Sequence, residues 1–134
     1  MEPFTTSTLP RRMPESGIYL FTEDAKHLYV GRSNRLSSRI RRHGAETSKH
    51  NVAALAFRIA RDATGKTRAT YKPEGSRKQL LEDREFARAF SDAKARIRAM
   101  EVRYVEEADQ LRQTLLEIYA TVVLTTPFND FDTH

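Results

Sequence analysis

The sequence of 134 residues contains no cysteine. This absence excludes disulfide bonds, thiolate metal sites and a cysteine nucleophile together. The N-terminal residues 1–17 hold three prolines and no apolar segment of the kind found in signal peptides or membrane anchors. We therefore expect neither, and a cytoplasmic location. Internal repeats, heptad arrays and low-complexity segments are also missing.

The residues that are present are typical of a folded chain. Charged residues make up 31% and hydrophobic residues 39%, which argues against extensive disorder. A chain of this length can bury one core but hardly two. We expect an irregular lead-in over residues 1–15 and a single domain over residues 16–134.

Basic residues are concentrated in one segment. Lysine and arginine outnumber aspartate and glutamate by 23 to 18, for a net charge of +5. Five arginines fall within residues 32–42, with no acidic residue among them. Two interpretations stay open: a positive surface for an anion such as a nucleic-acid backbone, or a solvated helix face.

Two short segments rich in β-forming residues, 17–21 and 27–31, predict a β-hairpin. Each contains a tyrosine, and the polar segment 22–26 separates them. Because side chains alternate along a strand, Tyr19 and Tyr29 lie opposite each other on one face only under one condition. The connection must have an odd number of residues or a bulge.

The arginine-rich segment predicts the first helix. Ser33 and Asn34 provide an N-cap, and Leu36 and Ile40 are spaced to form its buried stripe, up to about residue 43. The neighbouring stripe holds Arg39 and, one turn later, His43. We expect both side chains at the border between core and solvent.

The middle of the chain predicts two more helices, at about 51–62 and 83–99, around a loop over 64–76. The loop carries three cations: Lys66, Arg68 and Lys72. Alternation after Met100 then predicts a third strand, with Val102 on one face and Val105 on the other.

A last helix is predicted from an N-cap at Asp109 to about Leu124, with Pro127 ending it. Its apolar residues form one arc, which we expect to face the core. They are Leu111, Leu115, Ile118 and Val122, widened by Tyr119 and Val123. Glu117 lies outside this arc, so the pattern alone leaves it as an ordinary solvated glutamate. Phe128 and Phe131 are expected to pack back onto the domain.

Several motifs together resemble the GIY-YIG nuclease domain family. The sequence has GIY at 17–19, YVG at 29–31, Arg39 and His43 on the first helix, Glu117 on the last helix, and Asn129 twelve residues later. The similarity extends from Gly17 to Asn129. Residues from Gly44 to about Ala99 match only as an insertion, and Val30 replaces the more common isoleucine.

The resemblance implies an α+β fold in which helices flank a small, mostly antiparallel three-stranded sheet. A helical insertion over about residues 44–99 would separate the first helix from the third strand. It also implies hydrolysis of DNA phosphodiester bonds with Mg²⁺ or Mn²⁺ as cofactor.

The family's catalytic residues carry over to matching positions. Tyr19 would lie next to the attacking water, and it would act as general base only if its pKa fell well below the ~10 of a free phenol. Arg39 and a metal would favour such a fall. His43 is the alternative base, and the residues do not decide between the two.

The remaining roles are also implied by the resemblance. Arg39 would hold two phosphate oxygens with its planar fork, and Glu117 would be the single carboxylate ligand of the metal. Tyr29 would hydrogen-bond within the site or to phosphate, and Asn129 would tie the C-terminal segment to it. Taken alone, both tyrosines are more typical of cross-strand packing.

Six cations are candidate contacts to nucleic acid: Arg32, Arg35, Arg42, Lys66, Arg68 and Lys72. Besides a DNA endonuclease, acting as a monomer or homodimer and with or without a separate recognition partner, two alternatives remain. One is a catalytically silent nucleic-acid-binding module, and the other is a protein-interaction domain of the same fold.

Overall fold

The computed structural model describes residues 2–65 and 84–129. Over these residues the chain forms three strands and four helices. The strands are β1 (Gly17–Glu23), β2 (Lys26–Ser33) and β3 (Glu101–Glu106), and the helices are α1 (Leu36–Gly44), α2 (Ala54–Thr64), α3 (Arg84–Ala99) and α4 (Gln110–Leu124). The sheet is antiparallel throughout, in the order β2-β1-β3. The predicted α+β fold with three strands is confirmed.

The hairpin of β1 and β2 is longer than predicted, because both strands extend into the polar segment. Only Asp24 and Ala25 form the turn, with φ values of 49° and 64°. Positive φ at both central residues is typical of hairpin turns that match strand twist.

A bulge between Phe21 and Thr22 shifts the pairing of the two strands by one residue. Tyr19 therefore pairs with Gly31, and Phe21 pairs with Tyr29. Because of this shift the two tyrosines share one face, as diagonal rather than direct neighbours.

The β1–β3 pairing confirms the predicted alternation of the third strand. Val102 pairs with Phe21, and neither has any exposed surface. Val105 projects from the opposite face and is 56% exposed. Where β3 passes Gly17, a Cβ built on that glycine would overlap the carbonyl oxygen of Val105. The first glycine of the GIY motif thus permits close approach of two backbones.

Segments from the two ends of the chain pair with the outer strands. Phe4 exchanges two backbone hydrogen bonds with Val102 of β3, at N–O distances of 2.9 and 2.6 Å. On β2, the backbone N–H of Phe128 donates to the carbonyl of Leu28 at 3.2 Å. Parts of both sheet edges are therefore already paired, which limits their pairing with another chain. Phe131 lies outside the described residues.

The chain divides into two compact units. The first contains Met1–Arg41 and Ala99–His134 and holds the sheet with α4, and the second is Arg42–Arg98. The second unit spans nearly the same residues as the predicted insertion. Its core includes a cluster of phenylalanine rings: the centroid of Phe57 lies 5.3 Å from that of Phe86 and 6.5 Å from that of Phe90.

Helix α4 begins as predicted, because the Asp109 carboxylate accepts a hydrogen bond from the backbone N–H of Arg112 at 2.9 Å. Its orientation is the opposite of the prediction. The residues of the apolar arc are 43–72% exposed, while Gln113 is completely buried. The expectation that this arc faces the core is wrong.

Polar partners explain this orientation of α4. The buried Gln113 side chain donates from Nε2 to the backbone carbonyl of Glu107 at 2.6 Å and to Oδ1 of Asn34 at 3.0 Å. These bonds offset the cost of burying the amide nitrogen, whereas Oε1 of the same side chain has no hydrogen-bond partner among the described residues. These partners are distant in sequence or belong to the backbone, so the hydrophobic pattern of the helix does not reveal them.

Among the described residues, no helix combines the length and apolar character needed to span a bilayer.

Candidate active site

The two motif tyrosines lie side by side on one face of the hairpin. Tyr19 is 2% exposed and Tyr29 is 8% exposed. Their ring centroids are 6.3 Å apart, and the Tyr19 ring also makes an edge contact with Phe21 at 5.9 Å. Both tyrosines therefore pack in the sheet and also place their hydroxyl groups in one neighbourhood.

Gly31, the last residue of the YVG motif, makes room for the last residue of the GIY motif. A Cβ built on Gly31 would overlap Cζ and the hydroxyl oxygen of Tyr19. The phenol thus lies across the backbone of β2 where any other residue would project a side chain. The two motifs are coupled through this contact.

Arg39 brings a cation to the Tyr19 hydroxyl. It lies on α1, whose residues Leu36 and Ile40 are completely buried. The guanidinium donates a side-chain hydrogen bond to the phenol oxygen. Arg39 itself is half-buried, as predicted for the border of core and solvent.

The pKa of Tyr19 is raised well above the ordinary value of 10.0. Burial is the largest cause, and the neighbouring Tyr29 and the negative charge of Glu117 act in the same direction. Arg39 lowers the pKa through its charge and its hydrogen bond, as predicted, but burial outweighs it. The lowered pKa that a phenolate base requires is therefore not found, and Tyr19 is protonated at neutral pH.

Glu117 faces the protein rather than the solvent. Its side chain is 17% exposed, and its Oε1 lies 3.4 Å from Nε of Arg32, whose side chain is 42% exposed. Its charge also acts on the buried phenol of Tyr19. An ordinary solvated glutamate, which the helix pattern left open, is thus not what the structure contains.

Asn129 closes the outer edge of β2 by imitating a backbone partner. Its Oδ1 accepts from the backbone N–H of Val30 at 2.8 Å, and its Nδ2 donates to the carbonyl of the same residue at 2.7 Å. The hydroxyl of Thr126 also donates to this Oδ1, at 2.8 Å. The amide therefore holds the segment after α4 against the strand that carries the second motif.

The burial of His43 differs from the prediction. His43 has no exposed surface and belongs to the second unit, so the expectation that it lies at the solvent border is wrong. Gly44, the next residue, is buried as well, and a Cβ on it would meet the side chain of Arg98. Arg42 is exposed in the second unit and Arg35 is exposed in the first. The three loop cations, Lys66, Arg68 and Lys72, lie outside the described residues.

Two features of the site escaped the sequence analysis. One is the ion pair of Arg32 with Glu117, since Arg32 was considered only as a phosphate contact. The other is an amide cluster in which Asn34 exchanges hydrogen bonds with Gln110 and accepts from Gln113. The spacing of Gln110 and Gln113 could have predicted that they share a polar contact, because side chains three residues apart on a helix are neighbours.

The donor set for a metal is small. Within residues 2–65 and 84–129, no three acidic, histidine or cysteine side chains form a group that could hold an ion. Among the described residues, Glu117 is the carboxylate whose charge acts on Tyr19. One carboxylate suits Mg²⁺, which usually retains several waters and also binds substrate oxygens.

Comparisons with known proteins give no independent support for the family resemblance. Comparisons with protein-family models, curated proteins and solved structures find no match.

Proposed function

We propose that this chain is a metal-dependent endonuclease of the GIY-YIG type that hydrolyses phosphodiester bonds in DNA. One observation carries the proposal: Glu117 is turned inward on a helix whose apolar residues face the solvent. Its charge acts on Tyr19, which in turn accepts a hydrogen bond from Arg39. A phenol, a guanidinium and a carboxylate are the groups that the resemblance implies for such hydrolysis, and burying them is costly unless they are used or paired.

Arg39 binds the phosphate in this proposal. Its planar guanidinium can donate to two non-bridging oxygens at once and stabilise the charge that develops there. The buried phenol of Tyr19 limits the movement of Arg39 by accepting its hydrogen bond. The arginine is therefore oriented before the substrate arrives. Such positioning in advance is a large part of what a catalytic group contributes to the reaction rate.

Tyr19 in the free protein orients the water rather than deprotonating it. Burial keeps the phenol protonated, so it can donate a hydrogen bond to the water or to a phosphate oxygen. Additional positive charge would lower its pKa in the direction in which Arg39 already acts. His43 remains the alternative general base of the proposal.

Glu117 would hold the Mg²⁺ or Mn²⁺ ion, with waters and substrate oxygens completing its coordination. The metal would supply Lewis-acid stabilisation of the phosphoryl oxygens. Arg32 now pairs with the same carboxylate through Nε. Its side chain is partly exposed, so it can turn to the DNA backbone when Glu117 binds the ion.

The proposed substrate is DNA, and the proposed location is the cytoplasm. Arg32 and Arg35 are exposed cations of the first unit next to the cluster of Tyr19 and Arg39 in sequence. Their phosphate contacts would be screened by salt and would make binding salt-dependent.

Cleavage of a supercoiled plasmid tests the proposal. The wild-type protein should nick the plasmid with Mg²⁺ or Mn²⁺ and not with EDTA. Glu117→Gln keeps the shape of the side chain but removes its charge, so the rate should fall at least about 100-fold. Glu106→Gln, at an exposed position of β3, is the matched control and should cut as the wild type does.

The other outcomes separate the alternatives. Equal cutting by wild type and Glu117→Gln, or no cutting by the wild type, would overturn the enzyme. Salt-sensitive DNA binding without cleavage would then indicate the silent binding module. The absence of any affinity for nucleic acid would leave the protein-interaction domain.

A further inference from the structure

The solvent-facing side of α4 is an apolar surface, here named the α4 outer patch. It consists of Leu111, Leu115, Ile118, Tyr119, Val122 and Val123, with exposed fractions from 43% to 72%. Monomeric proteins seldom expose six large apolar side chains on one short helix, and such patches mark interaction sites. The feature does not depend on the proposed nuclease function.

An apolar groove lies beside the same helix. It has a volume of about 260 Å³ and is lined by Ala120 and Leu124 of α4 together with residues of the sheet, among them the exposed Val105. The surface that its lining exposes is apolar, although Arg103 and two tyrosines are among the lining residues. A partner that covers the helix could therefore insert a side chain into this groove.

We propose that the α4 outer patch is a homodimer interface in which α4 packs against α4 of a second copy. The exposed fractions correspond to roughly 600 Å² of apolar surface for side chains of these sizes, and an interface of standard size buries about 800 Å² per partner, somewhat more than half of it apolar. The patch is thus large enough to supply the apolar area that one partner of a stable dimer needs.

Charge favours a second copy as the occupant. Arg112 is the only charged residue among the exposed positions of α4, and it lies in the first turn. In an antiparallel pair related by a two-fold axis, the two Arg112 side chains lie at opposite ends of a helix about 22 Å long, so they do not repel each other strongly. The patch is therefore compatible with itself, as a two-fold interface requires.

This arrangement leaves the candidate metal ligand uncovered. Glu117 and Gln113 are on the protein-facing side of α4, and pairing through the outer side does not cover them. Sheet edges are a less suitable route to a dimer, because Phe4 and Phe128 already pair with the outer strands. A dimer formed through α4 would carry two sites.

Sedimentation velocity over a wide range of protein concentration tests the interface. The wild type should pass from one to two chains as concentration rises. Leu115→Glu combined with Val122→Glu places like charges in the contact and should raise the dissociation constant at least about 100-fold. Ala95→Glu, on the exposed side of α3, is the matched control and should dimerise as the wild type does.

Cross-linking gives an independent test because the chain has no cysteine. Ile118 lies near the middle of α4, so two copies of Ile118→Cys should meet close to the two-fold axis and form a disulfide on mild oxidation. Ala95→Cys should not. A wild type that stays monomeric at every concentration would overturn the proposal and indicate that another protein or a lipid surface covers the patch. Unchanged dimerisation of the double glutamate variant, with no cross-link at residue 118, would also overturn it.

Discussion

The two sides of α4 reverse the usual distribution of polarity. The side that faces the protein carries Gln113, completely buried, and Glu117, with a side chain 17% exposed. The opposite side carries six large apolar residues that are 43–72% exposed. Transfer free energy alone would rotate the helix by about half a turn, since each buried leucine or valine side chain contributes roughly 1.5–3 kcal/mol.

The contrast between the two sides of α4 shows that specific polar contacts, rather than burial of apolar surface, decide how this helix is oriented within a single chain. The donors and charges on the inner side have partners: Gln113 donates from Nε2 to a backbone carbonyl and to Asn34, and Glu117 pairs with Arg32, although Oε1 of Gln113 has no hydrogen-bond partner among the described residues. Rotating α4 would remove these partners and leave buried polar atoms without hydrogen bonds. Covering the outer patch with a second copy would recover the apolar burial without losing the inner contacts.

The largest expected effect concerns the chemistry on the inner side. Arg39→Lys keeps the positive charge but loses the planar fork, so cleavage should slow about 100-fold while DNA affinity changes only a few-fold. Single-turnover rates and salt-dependent binding curves measure the two quantities separately.

Arg35→Lys provides the control for this prediction, because Arg35 is exposed at the start of α1. Its cleavage rate should remain within a few-fold of the wild type. If Arg39→Lys cut as fast as Arg35→Lys, the inner cluster would be structural, and the contrast between the two sides of α4 would lose its functional meaning.

A matched pair of substitutions tests the reversal itself. Gln113→Leu removes the donor to the carbonyl of Glu107 and should lower the free energy of unfolding by about 1–2 kcal/mol, although it adds an apolar side chain to a buried position. Leu115→Gln, on the outer side, should change it by less than about 0.5 kcal/mol.

Urea unfolding at low protein concentration measures this pair, because dimerisation would add to the apparent stability at high concentration. The opposite ranking, with Leu115→Gln the more damaging change, would show that α4 lies in solution with its apolar side toward the sheet. The inward position of Glu117 would then be lost as well.

The smallest effect concerns the buried phenol. The pKa of Tyr19 is raised in the folded protein, so above about pH 10 the unfolded chain releases a proton that the folded chain retains. Stability should therefore fall as pH rises through this range, by about 1 kcal/mol more for wild type than for Tyr19→Phe between pH 9.5 and 11.

Denaturation midpoints of the two proteins across this pH range are the measurement. Tyr104→Phe serves as the control, since Tyr104 is only half-buried. Equal pH dependence in wild type and Tyr19→Phe would show that burial does not raise the pKa of Tyr19 in the folded protein, contrary to the structure.

Local signals predicted most of the elements. Hydrophobic periodicity predicted the bounds of α3, and the N-cap at Asp109 predicted the start of α4. Both predictions agree with the structure within one or two residues. The alternation of β3 also predicted which residues share a face. These features depend on neighbouring residues and on helix or strand geometry, and a single sequence contains that information.

The candidate site was predicted as a set of residues but not as an arrangement. Tyr19, Arg39 and Glu117 came from motif resemblance, and a bulge was one of two alternatives, whereas its position at Phe21 and the contact of Tyr19 with Gly31 follow only from the folded structure. The raised pKa of Tyr19 could not be anticipated either, because burial depends on the packing of distant segments.

The sequence by itself determined the α+β class, the order of the elements and the chemical groups available to a site, because these follow from composition, periodicity and capping. The tertiary structure decided which side of α4 faces the sheet, that His43 is buried, and that Asn129 binds Val30, 99 positions earlier in the chain. Such contacts form only when the chain closes on itself, since each polar atom takes a partner according to distance in space rather than position in the sequence.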